Sequence, residues 1–178
     1  MKNFLLLLLA VSLFACQVNV DDGTPSDIPF DGTCYRPVYA SESETKKIEV
    51  LPAMALSEPG KIYFLNPYIF INEKGKGVHI VDNSDPRNPR NLSFISIPGN
   101  YDIAAKGTWL YADNASDLLV FDISNPVDPK LSKRIETAIP VTNYPSVTNV
   151  YFECADSKKG TVVGWEKIPM SARPNCYR

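Results

Sequence analysis

Few side chains in this sequence could act as a nucleophile or a general base. The chain has one histidine, His79, and four cysteines. Nucleophile elbows, zinc-binding His-Glu-x-x-His helices and phosphate-binding glycine loops have fixed spacings, and none of them occurs in the sequence. His79 lies within the apolar run 78–81, which favours a packed or edge-exposed histidine over a catalytic one. We therefore predict no catalytic residue and no cofactor.

One cluster of oxygen-bearing side chains, Asp82, Ser84 and Asp85, could in principle hold calcium. It lacks the glycine and the distal glutamate of an EF-hand loop. Its Asp-x-Ser pattern also recurs forty residues later, and this regularity favours a structural turn over a binding site. We predict no metal site.

Three cysteines follow Cys16 in the chain, namely Cys34, Cys154 and Cys176. In an oxidising compartment two of them would pair. A loop of 22 residues closes easily, so we expect the pair to be Cys154 and Cys176. Cys34 would then be free, bridged to another molecule, or paired with a segment outside this chain. Zinc binding is disfavoured because the cysteines lack close paired spacing.

The N-terminus has the features of a secretory signal peptide. Lys2 precedes a run of eleven residues, 4–14, that is apolar except for Ser12. At about 1.5 Å per residue, this run covers roughly half of the ~30 Å hydrocarbon core of a bilayer, but it has the length of a signal-peptide core. We predict a signal peptide over residues 1–15.

The segment Leu13-Phe14-Ala15-Cys16 resembles a bacterial lipobox. The resemblance implies cleavage before Cys16, acylation of that cysteine, and a lipid anchor, which is stable when two or more acyl chains are attached. The alternative is an ordinary signal peptide that contains a cysteine. Gln17 stands where an aspartate retains some bacterial lipoproteins at the inner membrane, so we expect a cell-envelope protein on the outer rather than the inner membrane.

The composition argues against nucleic acid as a partner and indicates where a tether ends and the folded domain begins. The 18 basic and 20 acidic residues nearly balance, without a Lys/Arg cluster, which argues against nucleic acid as a partner. Residues 16–32 hold four aspartates and little periodicity, so we predict a flexible acidic tether. Residues 33–178 form the predicted β-repeat domain, in which 33–58 should be mainly a loop that runs into a first short strand.

The sequence contains an internal repeat. Shifted by forty residues, segment 68–95 lies over 108–135 without a gap. The motif Asp-x-Ser-x-Pro-x-x-Pro occurs in both copies directly after an apolar run, at Asp82, Ser84, Pro86 and Pro89 and again at Asp122, Ser124, Pro126 and Pro129. We place the repeats at approximately 60–99 and 100–139, with a divergent, incomplete third at 140–178.

Each repeat is predicted to contain a β-hairpin. Strands at 69–71 and 78–81, and at 109–111 and 118–121, flank the turns 74–77 and 114–117. The Asp-x-Ser-x-Pro segment ends each hairpin, because Asp and Ser cap nearby backbone N–H groups and proline removes a ladder donor. Further strands are expected at 92–97 and 102–105.

The segments GVHIVDNSDPRNP and LLVFDISNPVDP resemble LVIVD repeats, which occur in secreted and lipid-anchored bacterial proteins. The resemblance implies β-propeller blades. A forty-residue period with about four short strands per unit also indicates a propeller. A closed propeller has about four to eight blades and this chain supplies roughly three, so we predict an all-β fold of antiparallel blades that forms a partial or truncated propeller. Three explanations of this small number of blades are open: the chain is a fragment of a longer protein, which we favour, it closes by oligomerisation, or it forms an open stack of sheets. An unpaired blade edge would invite self-association.

Two functions remain at this stage. The first is a membrane-anchored, non-enzymatic binding or scaffold module that holds an envelope protein or glycan, and we favour it because no catalytic motif is present. The second is a fragment of a propeller hydrolase or lyase whose active site lies largely outside this chain. Aromatic residues could form a sugar- or peptide-binding surface, although packing within the blades is the simpler role for Tyr63, Tyr68, Trp109, Tyr111 and Trp165.

The lipid anchor leads to a direct prediction. Replacing Cys16 with alanine removes the thiol that would be acylated, so Cys16→Ala should abolish incorporation of labelled palmitate and release the protein from membranes. Labelling and membrane fractionation measure both effects. Labelled, membrane-bound Cys16→Ala protein would rule out Cys16 as the anchor, and Cys34→Ala serves as the matched cysteine control.

Overall fold

The computed structural model describes residues 29–178. The predicted signal peptide, Cys16 and most of the predicted tether lie outside these residues. Within them the chain forms thirteen strands, a five-residue helix α1 (Glu42–Lys46) and a 3-10 helix (Ser157–Lys159). The prediction of an all-β fold is confirmed. None of the described helices has the length and apolarity needed to cross a bilayer.

The first repeat, together with β2 from the residues ahead of it, forms a five-stranded antiparallel sheet, which we call the first sheet. Its strands lie in the order β2-β6-β5-β4-β3. Their bounds are β2 Glu49–Pro52, β3 Pro59–Leu65, β4 Tyr68–Glu73, β5 Gly77–Asp82 and β6 Arg90–Ser96. The predicted hairpin is therefore β4–β5, and β3 and β6 flank it.

The second repeat forms a four-stranded antiparallel sheet, the second sheet, in the order β10-β9-β8-β7. Its strands are β7 Ile103–Lys106, β8 Trp109–Asn114, β9 Asp117–Asp122 and β10 Lys130–Ile135. In each sheet the ladder has an irregularity at the same place. Ile80 and Val81 face Ser93 and Asn91, and Val120 and Phe121, forty residues on, face Lys133 and Leu131.

The third sheet, which we call the end-joining sheet, combines the two ends of the described chain. Its order is β12-β1-β11-β13, from β1 Thr33–Ala40, β11 Tyr151–Phe152, β12 Thr161–Pro169 and β13 Cys176–Tyr177. β1 pairs antiparallel with β12 over eight residue pairs and parallel with β11 at one. Residues 140–178 therefore form their sheet together with a strand from the opposite end of the chain.

The expectation of a loop over most of 33–58 was wrong. Residues 33–40 form an interior strand, and α1 follows it with a capping box in which Ser41 and Glu44 satisfy each other's backbone N–H groups. The strand was missed for two reasons. Pro37 lies within it, and proline weakens the sequence pattern of a strand. The residue that pairs with Pro37, Trp165, lies 128 residues away in the sequence.

The hydrophobic core lies between the first and second sheets. We call the faces that meet there the inner faces. Phe70, Val78, Ile80 and Ile95 of the first sheet form one buried cluster with residues of the second, which are Ile103, Ala105, Leu110, Ala112, Leu119 and Phe121. Ser93 donates a hydrogen bond across this interface to the carbonyl oxygen of Pro126, at 3.0 Å.

Two glycines with positive φ lie at hairpin turns, Gly77 in the first sheet and Gly107 in the second. Gly77 follows the β4–β5 turn with φ of +146°, and a Cβ at this position would lie 1.9 Å from the carbonyl oxygen of Ile95. Gly107 also has positive φ, +60°, but a Cβ there would meet nothing within 4 Å. A side chain at Gly107 would therefore meet only backbone strain, whereas a side chain at Gly77 would meet backbone strain and a steric clash.

We expect Gly77→Ala to destabilise the protein by about 3 kcal/mol or more, because a clash with backbone adds to the strain of positive φ. Gly107→Ala, which suffers the strain alone, should cost about 1 kcal/mol. Urea unfolding followed by circular dichroism measures both. Equal losses in the two variants would contradict this account of Gly77.

Candidate functional site

A large cavity lies between the end-joining sheet and the tip of the β4–β5 hairpin. It has a volume of about 590 Å³. Aromatic rings of Tyr35, Tyr101 and Trp165 line it, together with charged side chains of both signs, which are Lys74, Lys76, Lys167, Glu58 and Glu166. Such a cavity can accept a ligand that offers both flat apolar groups and charges or hydrogen-bonding groups.

Backbone hydrogen bonds fix the floor of the cavity. The amide of Gly75 donates to the carbonyl of Asn100, and the amide of Gly99 donates to the carbonyl of Gly75. β12 crosses this point so closely that a Cβ on Gly75 would lie 2.8 Å from the carbonyl oxygen of Val163. Gly75 therefore allows three segments of the chain to meet below the cavity.

Asn100, which is fully buried, joins the two repeats beneath this floor. It accepts a hydrogen bond from Asn72 Nδ2 at 2.7 Å and donates through its own Nδ2 to Asp113 Oδ1, also at 2.7 Å. Buried amides that exchange hydrogen bonds in this way are costly to separate. The network therefore keeps the hairpin tips of the first and second sheets in a fixed relation.

Tyr101 contributes a wall of the cavity. The residue is 37% exposed overall, but its hydroxyl lies between Gly75 and Gly164. Burial of this end, with the nearby carboxylates of Glu58 and Asp113, raises the pKa of Tyr101 to about 12. The hydroxyl is therefore protonated at neutral pH and can donate a hydrogen bond to a ligand.

Two carboxylates near the cavity, the buried Glu73 and the half-buried Asp113, play similar roles in the two repeats. Glu73 accepts hydrogen bonds from the amides of Ser57 and Glu58, and Asp113 accepts them from the amides of Tyr101 and Asp102. Each carboxylate thus holds the entry to the first strand of its own hairpin unit, β3 or β7. Burial raises the pKa of Asp113 despite its amide donors. Burial acts in the same direction on Glu73, but the two amides and His79 outweigh it and lower its pKa.

His79 is a buried structural residue, as its apolar surroundings in the sequence predicted. Its Nε2 lies 3.1 Å from Glu73 Oε2, and its ring packs on Phe94 with the centroids 4.7 Å apart. Nδ1 has no hydrogen-bond partner. The neutral tautomer with the proton on Nε2 fits both facts, because it donates to the carboxylate and leaves only a lone pair unpartnered.

The repeat motif forms the same turn twice. Asp82 Oδ1 accepts hydrogen bonds from the amide and hydroxyl of Ser84, and Asp122 Oδ1 accepts one from the amide of Ser124. Turns follow in which the amides of Asn88 and Asp128 donate to the carbonyls of Asp85 and Asn125. The four motif prolines differ between repeats, since Pro86 and Pro89 are exposed whereas Pro126 and Pro129 are buried.

The carboxylate of Asp82 is fully engaged in this turn. The bonds from Ser84, followed by Arg90 at 2.6 Å, lower the pKa of Asp82 to about 2. Both oxygens that calcium would need therefore have protein partners already. Among residues 29–178, no group of three or more His, Cys, Asp or Glu side chains is arranged to hold a metal ion.

The cysteines lie in the end-joining sheet. Cys154 and Cys176 form a disulfide, which ties β13 to the residues that follow β11. Cys34 is free and buried, with its sulfur 3.5 Å from that of Met170, and burial raises the pKa of its thiol. Cys34 therefore behaves as a small apolar core residue.

Of the five aromatic residues predicted as a binding surface or as packing residues, the structure brings one to the cavity. Trp165 lines the cavity and also packs edge-on against Phe152. Tyr63 and Tyr68 pack against the core, while Tyr111 is half-buried and Trp109 is exposed on the opposite face of the second sheet. Sequence reasoning missed Tyr35 and Tyr101, and the only local signal for Tyr101 is its place just after the Pro98-Gly99-Asn100 turn.

Two sheets built from successive units of forty residues, each closed by the same Asp-x-Ser-x-Pro turn, define a repeat protein of propeller-like blades. The LVIVD repeat model matches residues 62–95 and 98–137 of this chain. The chain is therefore an LVIVD-repeat protein. No curated protein and no solved structure is detectably similar to it.

The position of Glu73 leads to a prediction about stability and pH. In the wild type, the carboxylate of Glu73 accepts hydrogen bonds from the amides of Ser57 and Glu58. Glu73→Gln turns one of its two acceptor oxygens into an NH₂ group, so at neutral pH the substitution should lower the free energy of unfolding by about 2 kcal/mol. Because the native pKa of Glu73 is lowered, its carboxylate stabilises the fold above the ordinary value of 4.5 and loses this effect as the pH falls below it.

The free energy of unfolding of wild type and Glu73→Gln should therefore converge as the pH falls below 4.5, as measured by urea titration at several pH values. Glu49→Gln, at an exposed carboxylate paired only with Lys47, is the matched control. A Glu73→Gln penalty that does not shrink in acid would refute the assigned role of the charge.

Proposed function

We propose that this protein is a non-enzymatic binding or scaffold module, anchored to the bacterial cell envelope through lipid on Cys16. The observation that carries the binding role is the cavity of about 590 Å³ above a rigid floor, in which three aromatic rings meet charges of both signs. The secretory features of residues 1–16 support the location. The outer membrane is the proposed site because Gln17 follows the cysteine.

The lining of the cavity favours a protein segment or a glycan as the ligand. Aromatic rings stack on sugar faces or on apolar side chains, and Lys74 and Glu166 offer opposite charges to a polar ligand. The hydroxyl of Tyr101 adds a donor that stays protonated up to a pH of about 12. Stacking and hydrogen bonding at a site of this kind bind and orient a ligand.

We expect the full-length acylated protein to capture a specific envelope protein or glycan, and we expect Lys74→Glu to weaken this capture by about tenfold. Lys130→Glu, at an exposed lysine in the second sheet outside the cavity, should leave binding unchanged. Pull-down from solubilised envelopes and a glycan array, each followed by titration of the captured partner, measure the effect.

Two results would count against the proposal. Equal capture by wild type and Lys74→Glu would show that the cavity is not the binding site. Turnover in a broad hydrolase and lyase screen, abolished by a single substitution in this chain, would identify an enzyme instead.

A further inference from the structure

The two repeats are stacked in the same orientation, so that equivalent faces point the same way. The ladder irregularity fixes the correspondence, because Val81 and Phe121 occupy the same place in their repeats. Phe121 pairs with Leu110 on the inner face of the second sheet. Val81 pairs with Ile69 on the opposite side of the first sheet from the core, which we call the outer face of the first sheet. This outer face is therefore the structural equivalent of a face that is completely covered in the second repeat.

The burial of equivalent residues differs sharply between the two faces at their edge strands, whereas the centre of each face is buried, at His79 and Val81 in the first sheet and at Leu119 and Phe121 in the second. Ile103 and Ala105 on the edge strand of the second sheet are 2% and 3% exposed, because the first sheet covers them. Ile62 and Phe64 on the edge strand of the first sheet are 62% and 58% exposed. Leu51 and Met54 nearby are also exposed. Exposed apolar side chains along the margin of a sheet face typically mark a protein interface.

The motif turns show the same difference. The prolines of the second turn, Pro126 and Pro129, are buried, and Ser93 of the first sheet hydrogen-bonds to the carbonyl of Pro126. The prolines of the first turn, Pro86 and Pro89, are exposed. The first repeat thus presents both halves of an interface, a sheet face and a proline turn, that the second repeat uses inside the molecule.

The second sheet carries the complementary surface on its outer face. In the first sheet, the residues that cover the neighbouring repeat include Val78, Ile80 and Ile95. Their equivalents forty residues on are Leu118, Val120 and Ile135, which lie on one side of the second sheet with Tyr111. Ile135 and the neighbouring Trp109 are 39% exposed. The outer face of the second sheet therefore has the same apolar pattern as the inner face of the first sheet, which covers the second sheet inside the molecule.

Charge complementarity identifies a second copy of this chain as the occupant. Inside the molecule, Ser93 meets a turn that contains Asn125, and both residues are neutral. At the equivalent positions the chain has Lys133 on the outer face of the second sheet and Asp85 in the first turn, and both are exposed. If the internal interface is repeated between copies, Lys133 of one copy meets Asp85 of the next. Opposite charges replace the neutral pair only in the contact between molecules.

We propose that copies of this protein associate head to tail, with the outer face of the second sheet of one copy packed on the outer face of the first sheet of the next. Such an interface joins two different surfaces, so the assembly either closes into a ring or continues as a filament. With two propeller-like blades per copy, a ring of about two to four copies would contain the four to eight blades of a closed propeller.

Sedimentation velocity of the full-length protein in detergent over a range of concentrations tests the proposal. We expect wild type to form a larger species as concentration rises, and Phe64→Lys or Ile135→Lys alone to weaken association by about tenfold or more. Val141→Lys is the matched control, because Val141 is 51% exposed in the loop between β10 and β11. Circular dichroism checks that each variant is folded. If Ile135→Lys does not fold, Lys133→Glu, which changes an exposed lysine on the same face, should weaken association instead.

A mixture of the two blocked variants distinguishes a head-to-tail contact from all others. Phe64→Lys keeps an intact second-sheet face and Ile135→Lys keeps an intact first-sheet face, so together they should form a one-to-one dimer that grows no further. Association of Ile135→Lys by itself would indicate a back-to-back contact and overturn the proposal. A wild-type protein that stays monomeric throughout would also overturn it, and would point to another segment or another protein as the cover of the face.

Discussion

The pairing of β1 with β12 is the contact on which the arrangement of the sheets depends. It joins residues from the two ends of the described chain over eight pairs, and no local hairpin assists it. Because β12 crosses the floor of the cavity at Val163, this pairing also places Tyr35 and Trp165 opposite the hairpin tip of the first sheet. The cavity is therefore a product of long-range closure, and neither repeat forms it alone.

α1 extends the effect of this pairing to the second sheet. The helix follows β1 directly, and the carbonyl of Thr45 accepts a hydrogen bond from Asn114 Nδ2 at the tip of the β8–β9 hairpin. Arg134 Nη1 approaches the same Asn114 side chain and Asp117, at 2.6 Å in both cases. With Asn100 between the repeats, these bonds connect the hairpin tips of both sheets through buried and half-buried side chains.

Local chemistry explains what could be predicted from the sequence. The strands of each hairpin and the Asp82 and Asp122 turns depend on neighbours within a few residues, and the structure has them where the apolar runs and prolines indicated. The hairpin register could not be predicted in the same way. The β4–β5 turn has three residues between Glu73 and Gly77, and the β8–β9 turn has two between Asn114 and Asp117, so a gap-free alignment assigns β8 to the wrong face. β1 and the cavity were missed because their partners, Tyr35, Tyr101 and Trp165, are far apart in the sequence.

The antiparallel ladder between β1 and β12 also has a mechanical consequence. β1 is the first strand of the described residues, so a pull on the chain ahead of Thr33 enters the fold at this strand. A load directed along the strand axis is shared by all eight residue pairs at once, whereas a pull across the strand breaks them one after another. The direction of the pull relative to β1 therefore decides whether the end-joining sheet is sheared or peeled apart.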